Sequence, residues 1–120
     1  MEQSWGPKTR PDPDWPPNDS VVTLRGFQSF IQAAFGSKDQ ARGDAATFLW
    51  LTEEFGELAS ALRSGTREEL ALEMADVLAW LATLANIRDI DLEAAVLAKY
   101  GRGCPACHST PCACHASVKP

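Results

Sequence analysis

Histidine and cysteine are nearly missing from this chain, and what there is of them is confined: His108, His115 and all four cysteines lie in the last seventeen residues. That placement excludes a di-iron carboxylate bundle, whose helices carry Glu-x-x-His. Positive charge is also short, with 11 basic against 16 acidic residues and a net charge of −5. A protein that tracks the phosphates of a nucleic-acid duplex normally carries a basic patch, so duplex binding is not expected. No apolar run reads as a membrane span, and the N-terminus lacks the charged-then-apolar form of a leader, so the expectation is a cytoplasmic protein with no membrane partner. At 120 residues the chain fits one domain with a modest core.

Acid is abundant in the middle. The stretch from Trp50 to Trp80 holds Glu53-Glu54-x-x-Glu57 and Glu73-x-x-Asp76 on either side of Ser64-Gly65. Residues three apart share a helix face, so each signature sets two carboxylates side by side. Ser64-Gly65 is a helix stop, and Thr66 with Glu69 has the form of a capping box, so two helices fold back on a short turn. A fold-back centred on Gly65 sets Glu57 level with Glu73, Glu54 with Asp76, and Trp50 with Trp80. No Lys, Arg or His occupies these positions to neutralise the acids. Unit charges about 4 Å apart repel by about 1 kcal/mol in water and more against an apolar wall, so such a cluster calls for cations. Oxygen donors of this kind suit Mg²⁺ or Mn²⁺. A plain solvated acidic surface is the competing reading.

The sequence Glu53-Glu54-Phe55-Gly56-Glu57-Leu58, followed by Glu73-Met74-Ala75-Asp76-Val77-Leu78, resembles the EExxE…ExxD signature of MazG-like nucleotide pyrophosphohydrolases. The resemblance runs from about Val21 to Tyr100 and takes in Leu84-Ala85-Asn86 and Asp91-Leu92-Glu93 leading to Lys99. It implies an all-α, four-helix fold in which an antiparallel hairpin carries the metal site. It also implies Mg²⁺-dependent cleavage of a nucleoside triphosphate to monophosphate and pyrophosphate, in nucleotide-pool house-cleaning. Glu54, Glu57, Glu73 and Asp76 would hold the metal, and Glu53 would orient or deprotonate the attacking water. Asn86 and Lys99 would bind the nucleotide, and Trp50 and Trp80 are candidates for stacking its base.

The other segments frame this hairpin. Residues 1–20 hold five prolines, at 7, 11, 13, 16 and 17, and read as a flexible tail, with Trp5 and Trp15 given no role. The domain is expected over 21–102. Leu24, Phe27, Ile31 and Phe35 predict a first helix capped by Thr23 or Ser20 and ended by Gly36, with a loop at 37–43 carrying Lys38 and Arg42. Asp44 is the expected cap of a helix at 45–63 with a core stripe of Phe48, Leu51, Phe55, Leu58 and Leu62. A third helix at 67–87 turns Leu70, Met74, Val77, Leu81 and Leu84 inward. Asp91 caps a short fourth, from Leu92 to about Tyr100. So few long helices leave apolar surface uncovered in a monomer, which predicts a homo-oligomer, most simply a dimer.

The tail 103–120 carries Cys104-Pro-Ala-Cys107-His-Ser-Thr-Pro-Cys112-Ala-Cys114-His115. CxxC and CxC spacing suits a tetrahedral structural Zn²⁺ on Cys104, Cys107, Cys112 and Cys114, with a histidine as a possible replacement ligand. Disulfides are the competing reading, disfavoured in a reducing compartment. A non-catalytic helical adaptor that docks partners through this tail is the alternative function.

Overall fold

The computed structural model describes residues 15, 16, 21–117 and 119. The expected tail over 1–20, Trp5 included, lies outside these residues apart from Trp15 and Pro16. Among the described residues there are four helices and no strand: α1 (Leu24–Arg42), α2 (Asp44–Ser64), α3 (Arg67–Ile87) and α4 (Leu92–Tyr100).

Helix α1 begins where the sequence places it, with Thr23 Oγ1 accepting from the Gly26 amide at 2.9 Å. It does not stop at Gly36, however, and the loop expected at 37–43 is helix as far as Arg42. Gly36 is buried, and a methyl group there would collide with the Gln32 side chain, so its lack of a Cβ serves close packing instead of a turn. The helix ends at Gly43, whose φ of 82° is the left-handed backbone that glycine adopts without strain. Gly43, not Asp44, then occupies the cap position of α2, and the Asp44 carboxylate instead meets Arg88 Nη1 at 3.1 Å.

The α2–α3 hairpin forms as expected. The Thr66 amide donates to Glu69 Oε2 at 3.0 Å and the Glu69 amide to Thr66 Oγ1 at 3.1 Å, closing the capping box. Gly65 joins the two helices in extended backbone, and a Cβ on it would lie 2.9 Å from the Ala61 carbonyl and the Glu69 carboxylate. Close approach, not a positive φ, requires glycine at this turn.

Helix α3 is the centre, packed against α2 on one side and α1 on another, while α4 rests on α1. Among the described residues the buried apolar side chains are few: Ile31, Leu51, Ala82 and Ala85. Polar contacts do much of the joining. Gln28 Nε2 donates to Asn86 Oδ1 at 3.0 Å and to the Ile90 carbonyl at 2.6 Å, and Gln28 Oε1 accepts from the Leu92 amide at 3.0 Å. Asn86 Nδ2 returns a bond to the Gln28 carbonyl at 3.2 Å. Two side chains thus tie α1, the end of α3 and the start of α4. Asp91 Oδ1 caps α4 by accepting from the Glu93 and Ala94 amides, while its other oxygen pairs with Arg25 at 2.8 Å. Burial alone would raise the Asp91 pKa, but the Arg25 guanidinium and the two amides outweigh it and hold the carboxyl below its ordinary value.

The expected core stripes are only partly covered. On α2, Leu51 is buried and Leu58 half-buried, but Phe48, Phe55 and Leu62 are 55%, 49% and 70% exposed. On α3, Leu70, Val77 and Leu84 are half-buried, while Met74 and Leu81 are exposed. The physical reason is that, among the described residues, α2 packs broadly on α3 and only slightly on α1, so much of a stripe broad enough for a core meets no partner helix. By length and composition alone α3 is long and apolar enough to cross a membrane, where the sequence is expected to hold no such run. Glu73 and Asp76 interrupt it, and both lie at the acidic cluster described next. Trp15 lies over α1, its ring 4.9 Å from that of Phe30 and 5.7 Å from that of Phe27.

Candidate metal centre

The hairpin brings together carboxylates from both of its arms. One oxygen each from Glu54, Glu57 and Glu73 lies within 4.8 Å of the others. Asp76 stands beside this trio, close enough for its charge to act on Glu54 and Glu73, and also faces the cavity described below. Glu54 and Glu73 are half-buried and Glu57 is exposed. Among the described residues, Glu54 Oε2 and Glu73 Oε2 are shut off from solvent with no hydrogen-bond donor. Burial first, then the charges of Glu57 and Asp76, push the Glu54 and Glu73 carboxyls above their ordinary pKa. The Trp80 indole N–H, donating to Glu54 Oε1 at 3.2 Å, works against that rise and fixes the carboxylate's orientation. A buried carboxylate oxygen without a donor is costly, and a divalent cation is a partner that would offset that cost. The donor set therefore fits a hard metal ion.

One layer along the hairpin, Trp50 and Trp80 meet edge to face, their centroids 5.2 Å apart at 79°. They line a cavity of about 390 Å³ together with Ile31, Phe35, Lys38, Asp39, Arg42 and Asp76. Arg42 reaches into it from the last turn of α1, its guanidinium carbon 5.0 Å from each tryptophan centroid. It is held there by Asp39 and by Thr47 Oγ1, the latter accepting from Nε at 3.0 Å. A second, polar cavity of about 290 Å³ opens toward the turn, lined by Glu57, Ser60, Ser64, Glu69 and Glu73. The carboxylates thus lie between an aromatic slot and a polar one.

The remaining sequence-predicted residues fall elsewhere. Glu53 is exposed on α2 and outside the trio. Asn86 is buried with its amide engaged by Gln28, and Lys99 Nζ sits 5.5 Å from the Tyr100 ring on α4. Sequence reasoning had Lys38 and Arg42 in a loop and gave them no part in the aromatic slot. Their signal was there in the four-residue steps Ile31, Phe35, Asp39, which continue the helix past Gly36.

The MazG nucleotide pyrophosphohydrolase domain matches residues 42–108, more than half of the chain. The chain belongs to the MazG family. The match begins at Arg42 and spans α2, α3 and α4, so both arms of the carboxylate cluster and both slot tryptophans lie inside it. No curated protein matches the chain. A MazG domain marks a hydrolase of nucleotide pyrophosphate bonds, and the Glu54, Glu57 and Glu73 trio suits the divalent metal such proteins commonly use. The match stops after Cys107 and His108, leaving Cys112 and Cys114 beyond it. All four cysteines are free thiols drawn into a second group able to hold a metal, with Sγ atoms within 4.8 Å of one another.

Proposed function

We propose that this MazG protein is a Mg²⁺-dependent nucleoside triphosphate pyrophosphohydrolase, active with Mn²⁺ as well, that releases a nucleoside monophosphate and pyrophosphate. The observation that carries the reading is the pair of donorless, shielded oxygens on Glu54 and Glu73, two members of an acidic cluster beside an aromatic slot. Glu54, Glu57 and Glu73, with Asp76 beside them, would hold the metal. The bound ion supplies the positive charge that a triphosphate and a departing pyrophosphate require. Trp50 and Trp80 take the base against their rings, and Arg42, already packed against both, offers a cation to a carbonyl edge or a phosphate. Glu53, beside Glu54 in sequence, orients or deprotonates the attacking water. Lys99 is assigned to the nucleotide's phosphates, and Asn86, its amide engaged by Gln28, supports the site indirectly by holding α1 to α3.

A second copy of the chain covers the outer face of the hairpin, making a homodimer. Support comes from the exposed Phe48, Phe55, Leu62 and Met74, a patch too apolar to be left to water in a stable monomer. The protein works in the cytoplasm, where a nucleotide pool needs house-cleaning and thiols stay reduced. The test is pyrophosphate release from a panel of common and oxidised nucleoside triphosphates with Mg²⁺ or Mn²⁺, set against Glu73→Gln. Turnover by the wild type and its loss in the variant is the expected result. No turnover of any nucleotide overturns the reading and leaves a non-catalytic adaptor.

A further inference from the structure

We propose that Cys104, Cys107, Cys112 and Cys114 hold one structural Zn²⁺, and that this ion, in place of any apolar core, folds the segment after α4. The sulfur geometry is the first support. Cys112 Sγ lies 3.5 Å from Cys104 Sγ, Cys104 Sγ lies 3.8 Å from Cys114 Sγ, and Cys107 Sγ lies 3.9 Å from Cys112 Sγ. A tetrahedron with Zn–S bonds of about 2.3 Å has edges of about 3.8 Å. A disulfide would bring two sulfurs to about 2.05 Å, and none of these pairs is close to that.

The backbone is arranged around the sulfurs. The Ala113 amide donates to Cys107 Sγ and the Cys114 amide to Cys112 Sγ, each at 3.3 Å. Such N–H donors orient and support thiolates, as outer partners do around metal ligands generally. His108 N donates to the Cys104 carbonyl at 2.7 Å and Cys104 N to the Ser109 carbonyl at 3.2 Å, closing a tight loop. Gly103, at φ 96°, enters that loop where a Cβ would lie 2.7 Å from Thr110 Oγ1. Yet no described residue from 101 to 117 is buried. A compact loop without a hydrophobic interior needs another source of folding energy, and metal ligation is one that suits so small a unit.

The histidines stand outside the set. His115 Nδ1 is engaged with Ser117 Oγ at 2.6 Å, and His108 is exposed with a left-handed φ of 58°. Four sulfurs close a tetrahedral site, leaving no position for water or substrate, which makes the ion structural. Donor softness sorts the two metals of the chain: thiolates select zinc, and the carboxylates of the hairpin select a hard cation.

The test uses the full chain purified without added zinc. The expected result is one zinc per chain by elemental analysis, retained in His108→Ala and His115→Ala but lost in a Cys104→Ser/Cys112→Ser variant. Replacing zinc with Co²⁺ in the wild type should give thiolate-to-cobalt charge-transfer absorption and a tetrahedral ligand-field spectrum, a readout that needs no variant to fold. Zinc content equal in wild type and cysteine variant overturns the proposal, as do disulfides in the protein purified under reducing conditions or an octahedral cobalt spectrum. Loss of zinc in His115→Ala overturns the all-sulfur set. None of these readouts depends on nucleotide hydrolysis, so failure here and failure of the hydrolase reading are separate results.

Discussion

Glu54→Gln should change the sign of its effect on stability with the metal content of the buffer. The substitution keeps the shape and the acceptor for Trp80 Nε1 but removes one charge from oxygens that lie within 4.8 Å of those on Glu57 and Glu73. At that separation two unit charges repel by about 1 kcal/mol in water and about 3.5 kcal/mol at an effective dielectric of 20. Glu54 is half-exposed, so solvent screening favours the lower figure, and relief of about 1 kcal/mol is expected in EDTA. In a chain of this size that is a rise of about 4 °C in Tm. Saturating Mg²⁺ reverses the order, because a ligand at 100 times its Kd stabilises the wild type by about 2.7 kcal/mol and the variant has lost a donor. Acidity gives a second signature. A carboxyl whose pKa is raised on folding binds its proton more tightly when folded, so the metal-free wild type gains stability as pH falls from neutral toward the ordinary value of 4.5, and the variant gains less. Thermal melts of both proteins in EDTA and in Mg²⁺, from pH 7 to 5, give all of these comparisons. A variant less stable than wild type in EDTA, or equal stabilisation of the two by Mg²⁺, would refute the argument from crowded charge.

Three further outcomes are expected. Trp50→Ala should raise KM for the nucleotide far more than it lowers kcat, since a base–aromatic contact is worth about 1–3 kcal/mol; a loss confined to Tm would assign Trp50 to the core alone. Asp91→Ala should cost about 1–2 kcal/mol at pH 7 by removing both the α4 cap and the partner of Arg25, as read by urea denaturation. Because the Asp91 pKa is lowered on folding, its contribution is complete above the ordinary value of 3.8 and fades as pH drops through the lower folded value, so wild type and variant should converge in acid. Gly36→Ala should destabilise the fold despite alanine's better helix propensity, because its methyl meets Gln32; a more stable variant would show that the contact relaxes freely.

What could be read from the chain was whatever is written within a few residues. The Thr66–Glu69 box, the Asp91 cap and the level pairing of Trp50 with Trp80 are local or symmetric features, and the structure has them. Gly36 misled because its meaning depends on burial against Gln32, which no local pattern announces. Asp44 misled for a related reason, since its partner, Arg88, is 44 residues away. The placement of Arg42 against both tryptophans follows only from the continuation of α1 past Gly36. The stripes on α2 and α3 were correctly identified as apolar, but periodicity does not say whether the neighbour is the same chain or another copy.

The Trp80 ring belongs to two neighbourhoods at once, since its face borders the aromatic slot and its N–H anchors Glu54. In an enzyme working as proposed, a poorly fitting base that tilts the indole would also loosen a metal-binding carboxylate. Discrimination would then fall on turnover as much as on capture: the wrong nucleotide could enter and still find the catalytic ions out of register.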